Sequence, residues 1–158
     1  MKRLEAWSAT ELIEILISEP ALDELVAAHD PNLTRKGISY IQTLTRVTSP
    51  DEIAVLKTIE GIVFPRGATT ASHRSDVEII FNAHKYGARL VTADGASKRQ
   101  PGGILGAALA LRAFGVEVLT DEQACALVER EIQGRDERAR QWARQTSQPL
   151  PAWLGKDL

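Results

Sequence analysis

Short apolar runs alternate along this chain with segments that carry helix-capping signals, and this alternation is the feature that most constrains its fold. The runs are residues 12–17, 88–92 and 116–119, which are rich in Leu, Ile and Val. Such nearly continuous apolar runs are typical of strands buried on both faces of a parallel sheet. Because each run is followed by a helical segment, the pattern predicts an α/β fold, in which a parallel sheet carries helices on both faces.

Capping signals set the expected helix boundaries. Ser49 with Glu52 and Ser75 with Glu78 have the spacing of capping boxes, and Gly87 follows the second segment as a C-terminal stop. Residues 61–64, GIVF, resemble a further short strand. The predicted helices cover residues 4–9, 19–28, 34–46, 50–60, 76–86 and 104–114, with a last one opening at Thr120.

Composition limits the compartment and the partners. Cys125 is the single cysteine, so an internal disulfide is excluded, and a reducing compartment fits. No apolar run has the length of a membrane span, and the N-terminus has no secretory signal pattern. We therefore expect a cytoplasmic protein without membrane contact. The formal net charge is −2, so any contact with nucleic acid must come from a local basic patch.

Acidic residues stand at positions where a parallel sheet collects ligands. Asp94 follows the strand at 88–92, and ligands bind beyond the carboxyl ends of such strands, although Asp-Gly is also a common turn. Asp76 is expected at the first position of a helix, where the helix dipole alone would favour it. Glu24, like its neighbour Asp23, would by itself be an ordinary surface residue. Carboxylates that converge without cations are typical of sites for Mg²⁺ or Mn²⁺.

Other kinds of chemistry are not indicated. The three histidines are scattered and have no cysteine partner, so the zinc pattern is absent, and neither a nucleophile elbow nor a Walker A loop occurs. Gly102 and Gly103 precede an apolar helix. They could receive a phosphate-containing small ligand, or they could serve a tight turn with close helix packing.

Residues 76–94, DVEIIFNAHKYGARLVTAD, resemble the second half of a PIN domain. In that family an Asp precedes a helix with an inward Ala, a Gly-Ala pair leads into an apolar strand, and the strand ends in Thr-x-Asp. Residues 116–120 look like the last strand of the family. Residues 15–25, ILISEPALDEL, look like its second strand and the helix that bears its Glu. The resemblance runs from Leu4 to Glu129.

The resemblance implies a three-layer PIN-like fold and a metal-dependent ribonuclease, which in many members is the toxin of a toxin–antitoxin pair. It implies that Thr92 steadies the end of its strand. It implies that three acids are catalytic and bind the metal, and that a hydroxyl is a weaker ligand. These residues are Glu24, Asp76 and Asp94, with Ser97 as the hydroxyl. The cations expected to hold the phosphate backbone, unless they are only solvated, are Arg74, Lys98 and Arg99.

One part of the family pattern is lacking. A PIN domain begins with a strand that ends in an Asp ligand, and no apolar strand with a terminal Asp precedes Leu4. A truncated start, a gap filled by re-paired strands or another chain, and a branch with a reduced sheet are all open. We expect residues 1–133 to form a PIN-like domain without its first strand, and residues 134–158 to form a charged helix and an extended tail.

A second function fits the same residues. A PIN-like domain that no longer cuts would bind a protein or RNA partner. Trp142 and Trp153 lie in polar surroundings near the C-terminus, and such aromatic residues often anchor interfaces. The tail is predicted to pack on a second copy or on a partner protein, with folding back on its own domain as the alternative. The expected partners are therefore RNA, an antitoxin protein and a second copy of the chain.

Overall fold

The computed structural model describes residues 1–95 and 102–157. In chain order the elements are α1 (Lys2–Ala9), β1 (Leu16–Ser18), α2 (Glu19–Ala27), α3 (Pro31–Ile38), β2 (Ile41–Thr43), α4 (Pro50–Val63), α5 (Ala71–Lys85), β3 (Leu90–Val91), α6 (Gly103–Gly106), α7 (Ala108–Ala113), β4 (Val118–Leu119) and α8 (Asp121–Thr146). The predicted combination of helices with parallel strands is confirmed at this coarse level.

The chain forms two compact units. The smaller unit combines Met1–Ile13 with the chain from Asp121 onward, and the larger unit is Glu14–Thr120. The expected boundary after residue 133 therefore lies inside α8, which continues without a break from Asp121 to Thr146.

The strands of the larger unit form two separate parallel pairs. β1 pairs with β2, with Leu16 opposite Ile41, and β3 pairs with β4, with Leu90 opposite Val118. Each strand has only two or three residues, so the six-residue run at 12–17 is mostly outside the ladder. The Leu90 and Thr92 amides bond to carbonyls of Glu117 and Leu119, which fixes the register of the second pair.

Two expectations for the first half of the chain are wrong. Residues 34–46 were expected to be one helix, but α3 ends at Ile38 and residues 41–43 form β2. The amide of Ile41 donates to the carbonyl of Ile15 at 3.3 Å, so pairing with the neighbouring chain segment overrides the helical spacing of the apolar residues. Residues 61–64 were expected to be a strand, but residues 61–63 complete α4, because the helical bonding continues to its C-cap Phe64.

The capping predictions have mixed outcomes. Ser49 is confirmed as a cap, since its hydroxyl accepts a hydrogen bond from the Glu52 amide at 3.2 Å. The Ser75 cap is wrong, because α5 begins at Ala71 and the hydroxyl of Thr70 accepts from the amide of His73 at 3.1 Å. The apolar segment at 104–114 is two short helices, α6 and α7, rather than one.

An apolar core holds the larger unit together. Five of its side chains are almost completely enclosed, and they come from α4, α5, α7 and the segment before β4: Ile59, Ile80, Phe81, Leu111 and Val116. Burial of an aliphatic or aromatic side chain of this size contributes about 1.5–3 kcal/mol. The core therefore fixes α5, the helix that carries Asp76, against its neighbours.

The C-terminal tail folds back on the smaller unit. The Trp7 indole donates to the Asp157 carbonyl at 2.9 Å, and the Arg135 guanidinium lies 4.3 Å from the centroid of the Trp153 ring. Arg135 also bonds to the Asp136 and Asp157 carboxylates, both at 2.8 Å. We call these five residues, with Gly155, the C-terminal clasp. The tail around Trp153 is therefore folded on its own chain, which was the alternative prediction.

Asp136 is the enclosed centre of the clasp, with 1% of its surface exposed. Its two oxygens accept hydrogen bonds from the Arg135 side chain and from the amide of Gly155. The bond from Arg135, above all, holds the pKa of Asp136 below its ordinary value. Across the described ranges 1–95 and 102–157, none of the helices has the length and apolar character needed to cross a bilayer.

Candidate functional site

Two carboxylates from other elements act on the carboxylate of Asp76 in the larger unit. Glu24 lies on α2, Asp76 on α5, and Asp94 beyond the end of β3. Burial raises the pKa of Asp76 from 3.8 to about 6, and the negative charges of Asp94 and Glu24 act in the same direction. We call these three residues the carboxylate cluster. They are the three acids predicted from the sequence.

Asp76 does not occupy the position that the sequence indicated. Because α5 begins at Ala71, Asp76 lies in the second helical turn rather than at the first position. The helix dipole acts mainly within the first turn, so it no longer explains an acidic residue at this point. The partly buried carboxylate is instead explained by its surroundings, which include two other acids.

His73 changes the pKa of Asp76 in the opposite direction to the two acids. Its charge lowers the pKa of Asp76, against the larger effects of burial and of the two acids. The imidazole stacks on Phe64 with 4.3 Å between ring centroids and 20° between planes. Its Nδ1 atom is enclosed and has no hydrogen-bond partner within the described residues. The ring is therefore held in place by packing, one turn before Asp76.

Asp94 is fixed by backbone amides on both sides. Its own amide donates to the hydroxyl of Thr92 at 3.1 Å, which gives Thr92 the steadying place expected at the strand end. Its carboxylate oxygen Oδ2 accepts from the amide of Ile104 at 2.7 Å, and its carbonyl accepts from the amide of Leu105 at 3.1 Å. The Asp-Gly turn is also present, because Gly95 has φ +89°. Asp94 is therefore both a turn residue and a member of the cluster.

A cleft of about 470 Å³ runs between α2 and α5 beside the cluster. Its charged lining residues are mostly acidic: Glu19, Asp23, Glu24, Arg74 and Glu78. Arg74, which was predicted to contact phosphate, is exposed and lies on this lining. Glu19 and Glu78 were not predicted as site residues, since only the packing of α2 against α5 puts them on the same cleft.

Three predicted site residues fall on the part of the chain that the structure does not describe. Ser97, Lys98 and Arg99 are outside the described residues, so their places in the site stay predictions. Within residues 1–95 and 102–157, no group of three or more His, Cys, Asp or Glu side chains is arranged as a ready metal site. The donor chemistry of the carboxylate cluster nevertheless suits a hard divalent cation, because oxygen ligands favour Mg²⁺ and Mn²⁺.

Comparison with known proteins does not assign the chain to a family. Neither the protein-family models nor the curated proteins gave a match. The chemistry of the chain must therefore be inferred from its own residues, above all from the carboxylate cluster and the cleft beside it.

Proposed function

We propose that this chain is a PIN-like ribonuclease that depends on Mg²⁺ or Mn²⁺ and hydrolyses RNA phosphodiester bonds. The observation that carries the proposal is the electrostatic coupling of Asp76 to Asp94 and Glu24, which come from three separate elements. Like charges around a partly buried group repel one another, and perturbed carboxylates of this kind are concentrated at functional sites. A bound cation would offset this repulsion.

A three-layer PIN-like fold is part of the same proposal. The two parallel strand pairs and the helices between them are compatible with it. Further support comes from the charges around Asp76, since those that raise its pKa belong to Asp94 and Glu24, the two other acids that the resemblance implied as ligands.

Each residue of the cluster has a separate task in this mechanism. Glu24, Asp76 and Asp94 would hold a divalent cation, which would supply water activation and offset charge on the leaving oxygen. Asp94, held by the amide of Ile104, keeps its carboxylate in one orientation. Asp76 and Glu24 complete the negative field, and Arg74 on the cleft lining contacts the phosphate backbone of the RNA. Ser97, Lys98 and Arg99 add one ligand and two phosphate contacts, and an antitoxin protein is the proposed regulator.

Calorimetric titration with Mn²⁺ tests the proposal. We expect binding by the native chain and loss of binding in Asp76→Asn, Asp94→Asn and Glu24→Gln. Asp23→Asn is the matched control, because Asp23 is the exposed neighbour of Glu24 on the same cleft, and the charges that act on Asp76 are those of Asp94, Glu24 and His73. Cleavage of single-stranded RNA, with and without a chelator, then tests the reaction. Native protein that neither binds Mn²⁺ nor cuts RNA would overturn the proposal.

A non-catalytic PIN-like binding domain is the second candidate. Aliphatic side chains are unusually exposed around α3 and β2, where Ile38, Ile41 and Leu44 have 57%, 53% and 59% of their surface accessible. Exposed apolar surface of this kind is typical of interaction sites. A stably folded chain without Mn²⁺ binding would favour this function over the nuclease.

A further inference from the structure

The carboxylate of Asp94 lies against the start of α6. Its Oδ2 atom accepts the hydrogen bond from the amide of Ile104 at 2.7 Å, and the next amide, that of Leu105, donates to the Asp94 carbonyl. One side chain is thereby joined to a helix ten residues further along the chain. The close approach requires that nothing stand between the carboxylate and the backbone of α6.

Gly103 is the residue that leaves this space empty. A Cβ atom at position 103 would lie 2.5 Å from Oδ2 and 2.7 Å from Cγ of Asp94, and 2.6 Å from the amide nitrogen of Gly95. Real Cβ atoms essentially never show contacts under 3.0 Å. Gly103 also has φ +49°, in the left-handed region that favours glycine. Any other residue would therefore push the carboxylate of Asp94 away from the Ile104 amide.

We propose that Gly103 is a positioning residue that sets the orientation of the Asp94 carboxylate in the metal site. This inference rests on the proposed nuclease function for its metal and on the contacts of Gly103 for its geometry. Gly103 touches no substrate. It acts through Asp94, because the absence of a side chain lets the Ile104 amide hold Oδ2 in a fixed place.

The same contacts give the glycine pair a different task from phosphate binding. The amide of Ile104 is already used by Asp94, and α6 has only four residues, so it offers little helix dipole to an anion. Gly103 provides a tight turn with close packing, whereas a Cβ at Gly102 would meet no described atom within 4 Å. The group bound at the start of α6 is therefore the carboxylate of Asp94.

The test compares two alanine substitutions at glycines with positive φ. Gly103→Ala adds a methyl group that meets Asp94, whereas Gly87→Ala adds one at φ +61° with no heavy atom of the described residues within 4 Å. We expect Mn²⁺ affinity to fall about tenfold or more in Gly103→Ala, as for other residues that orient metal ligands. Gly87→Ala should stay within about twofold of the native chain. If the native chain binds Mn²⁺, equal affinities in the two variants would overturn the proposal.

A second readout needs no metal. Hydrogen exchange of the Ile104 amide reports the bond to Oδ2 directly, and thermal melting shows whether each variant is folded. We expect faster exchange at Ile104 in Gly103→Ala, but not in Gly87→Ala. Asp94→Asn can be studied even if Gly103→Ala is too unstable. Its side chain keeps an acceptor oxygen, so we expect the Ile104 amide to stay protected while Mn²⁺ binding is lost.

The two readouts separate the positioning role from the nuclease function. Faster exchange at Ile104 in Gly103→Ala, with no Mn²⁺ binding by the native chain, would support the contact and overturn the nuclease. Unchanged exchange at Ile104 in folded Gly103→Ala would overturn the positioning role, whatever the metal affinity.

Discussion

Asp136 is an enclosed acidic residue and Asp76 is a partly buried one, and the charges around them are opposite. Asp136 is paired with Arg135 and the Gly155 amide, and its pKa is lowered. Asp76 has two acids and one histidine around it, and its pKa is raised to about 6. Removing a buried charge that has its own partners is costly because the partners are left unpaired, whereas a charge surrounded by like charges itself costs stability.

The difference separates a carboxylate that its own chain satisfies from the one that we propose to be functional. The smaller unit uses Asp136 to join its tail to α8, so the charge is satisfied within the chain itself. The larger unit places Asp76 among like charges, and such a residue is expected where a ligand completes the site. If the comparison is right, removing the two carboxylates should change stability in opposite directions.

The largest expected effect comes from Asp136→Ala. The substitution leaves the Arg135 guanidinium and the Gly155 amide without their partner in an enclosed place, and groups that lose such a partner strongly destabilise a fold. We expect a fall in melting temperature larger than the change produced by Asp76→Asn or Trp153→Ala. Glu137→Ala, at the exposed next position of the same helix, is the control. A melting temperature equal to that of the control would break the comparison.

Asp76→Asn should raise the stability of the fold, in contrast to Asp136→Ala. A pKa raised from 3.8 to about 6 means that the ionised form is disfavoured in the folded chain at pH 7. After a discount for solvent screening of this partly exposed group, we expect the free energy of unfolding to rise by about 1 kcal/mol. Chemical denaturation without metal measures the change, and Asp23→Asn is the control. A loss of stability would contradict a functional role for Asp76.

Stability as a function of pH sharpens the comparison further. The raised pKa of Asp76 gives a contribution that is present below the unfolded value of 3.8 and is lost as pH rises through about 6. The lowered pKa of Asp136 gives a contribution that is present above 3.8 and is lost as the pH falls. Between pH 4 and 7, the melting temperature should therefore change less with pH in Asp76→Asn than in the native chain. An unchanged slope would show that Asp76 titrates normally.

The fold class could be predicted from the sequence because its signals are local. The runs at 88–92 and 116–119 contain true strands, and Ser49 caps its helix as its spacing indicates. Local patterns did not suffice where another contact competes. The helical spacing of Ile38 and Ile41 gave way to pairing with β1, and Thr70 rather than Ser75 caps α5.

The candidate site was accessible from the sequence only in part. The three acids of the cluster were predicted, and two of them act on the pKa of the third. The part played by Gly103 was not, because its contact with Asp94 depends on how α6 returns to the end of β3. The clasp around Asp136 was missed for the same reason, since it depends on a tail that meets α8 about twenty residues later in the chain.

The smallest expected effect tests how much of the clasp depends on its aromatic side chain. Trp153→Ala removes the ring that lies 4.3 Å from the Arg135 guanidinium and leaves the bonds of Arg135 to Asp136 and Asp157 in place. A cation–π contact at a partly exposed site contributes about 0.5–1 kcal/mol, so we expect a loss of that size. Trp142→Ala is the matched control, because Trp142 is more exposed than Trp153, at 53% against 42%. A larger loss from the control would mean that Trp142, rather than the tail, stabilises this unit, and the charged half of the clasp would then account for the docking of the tail alone.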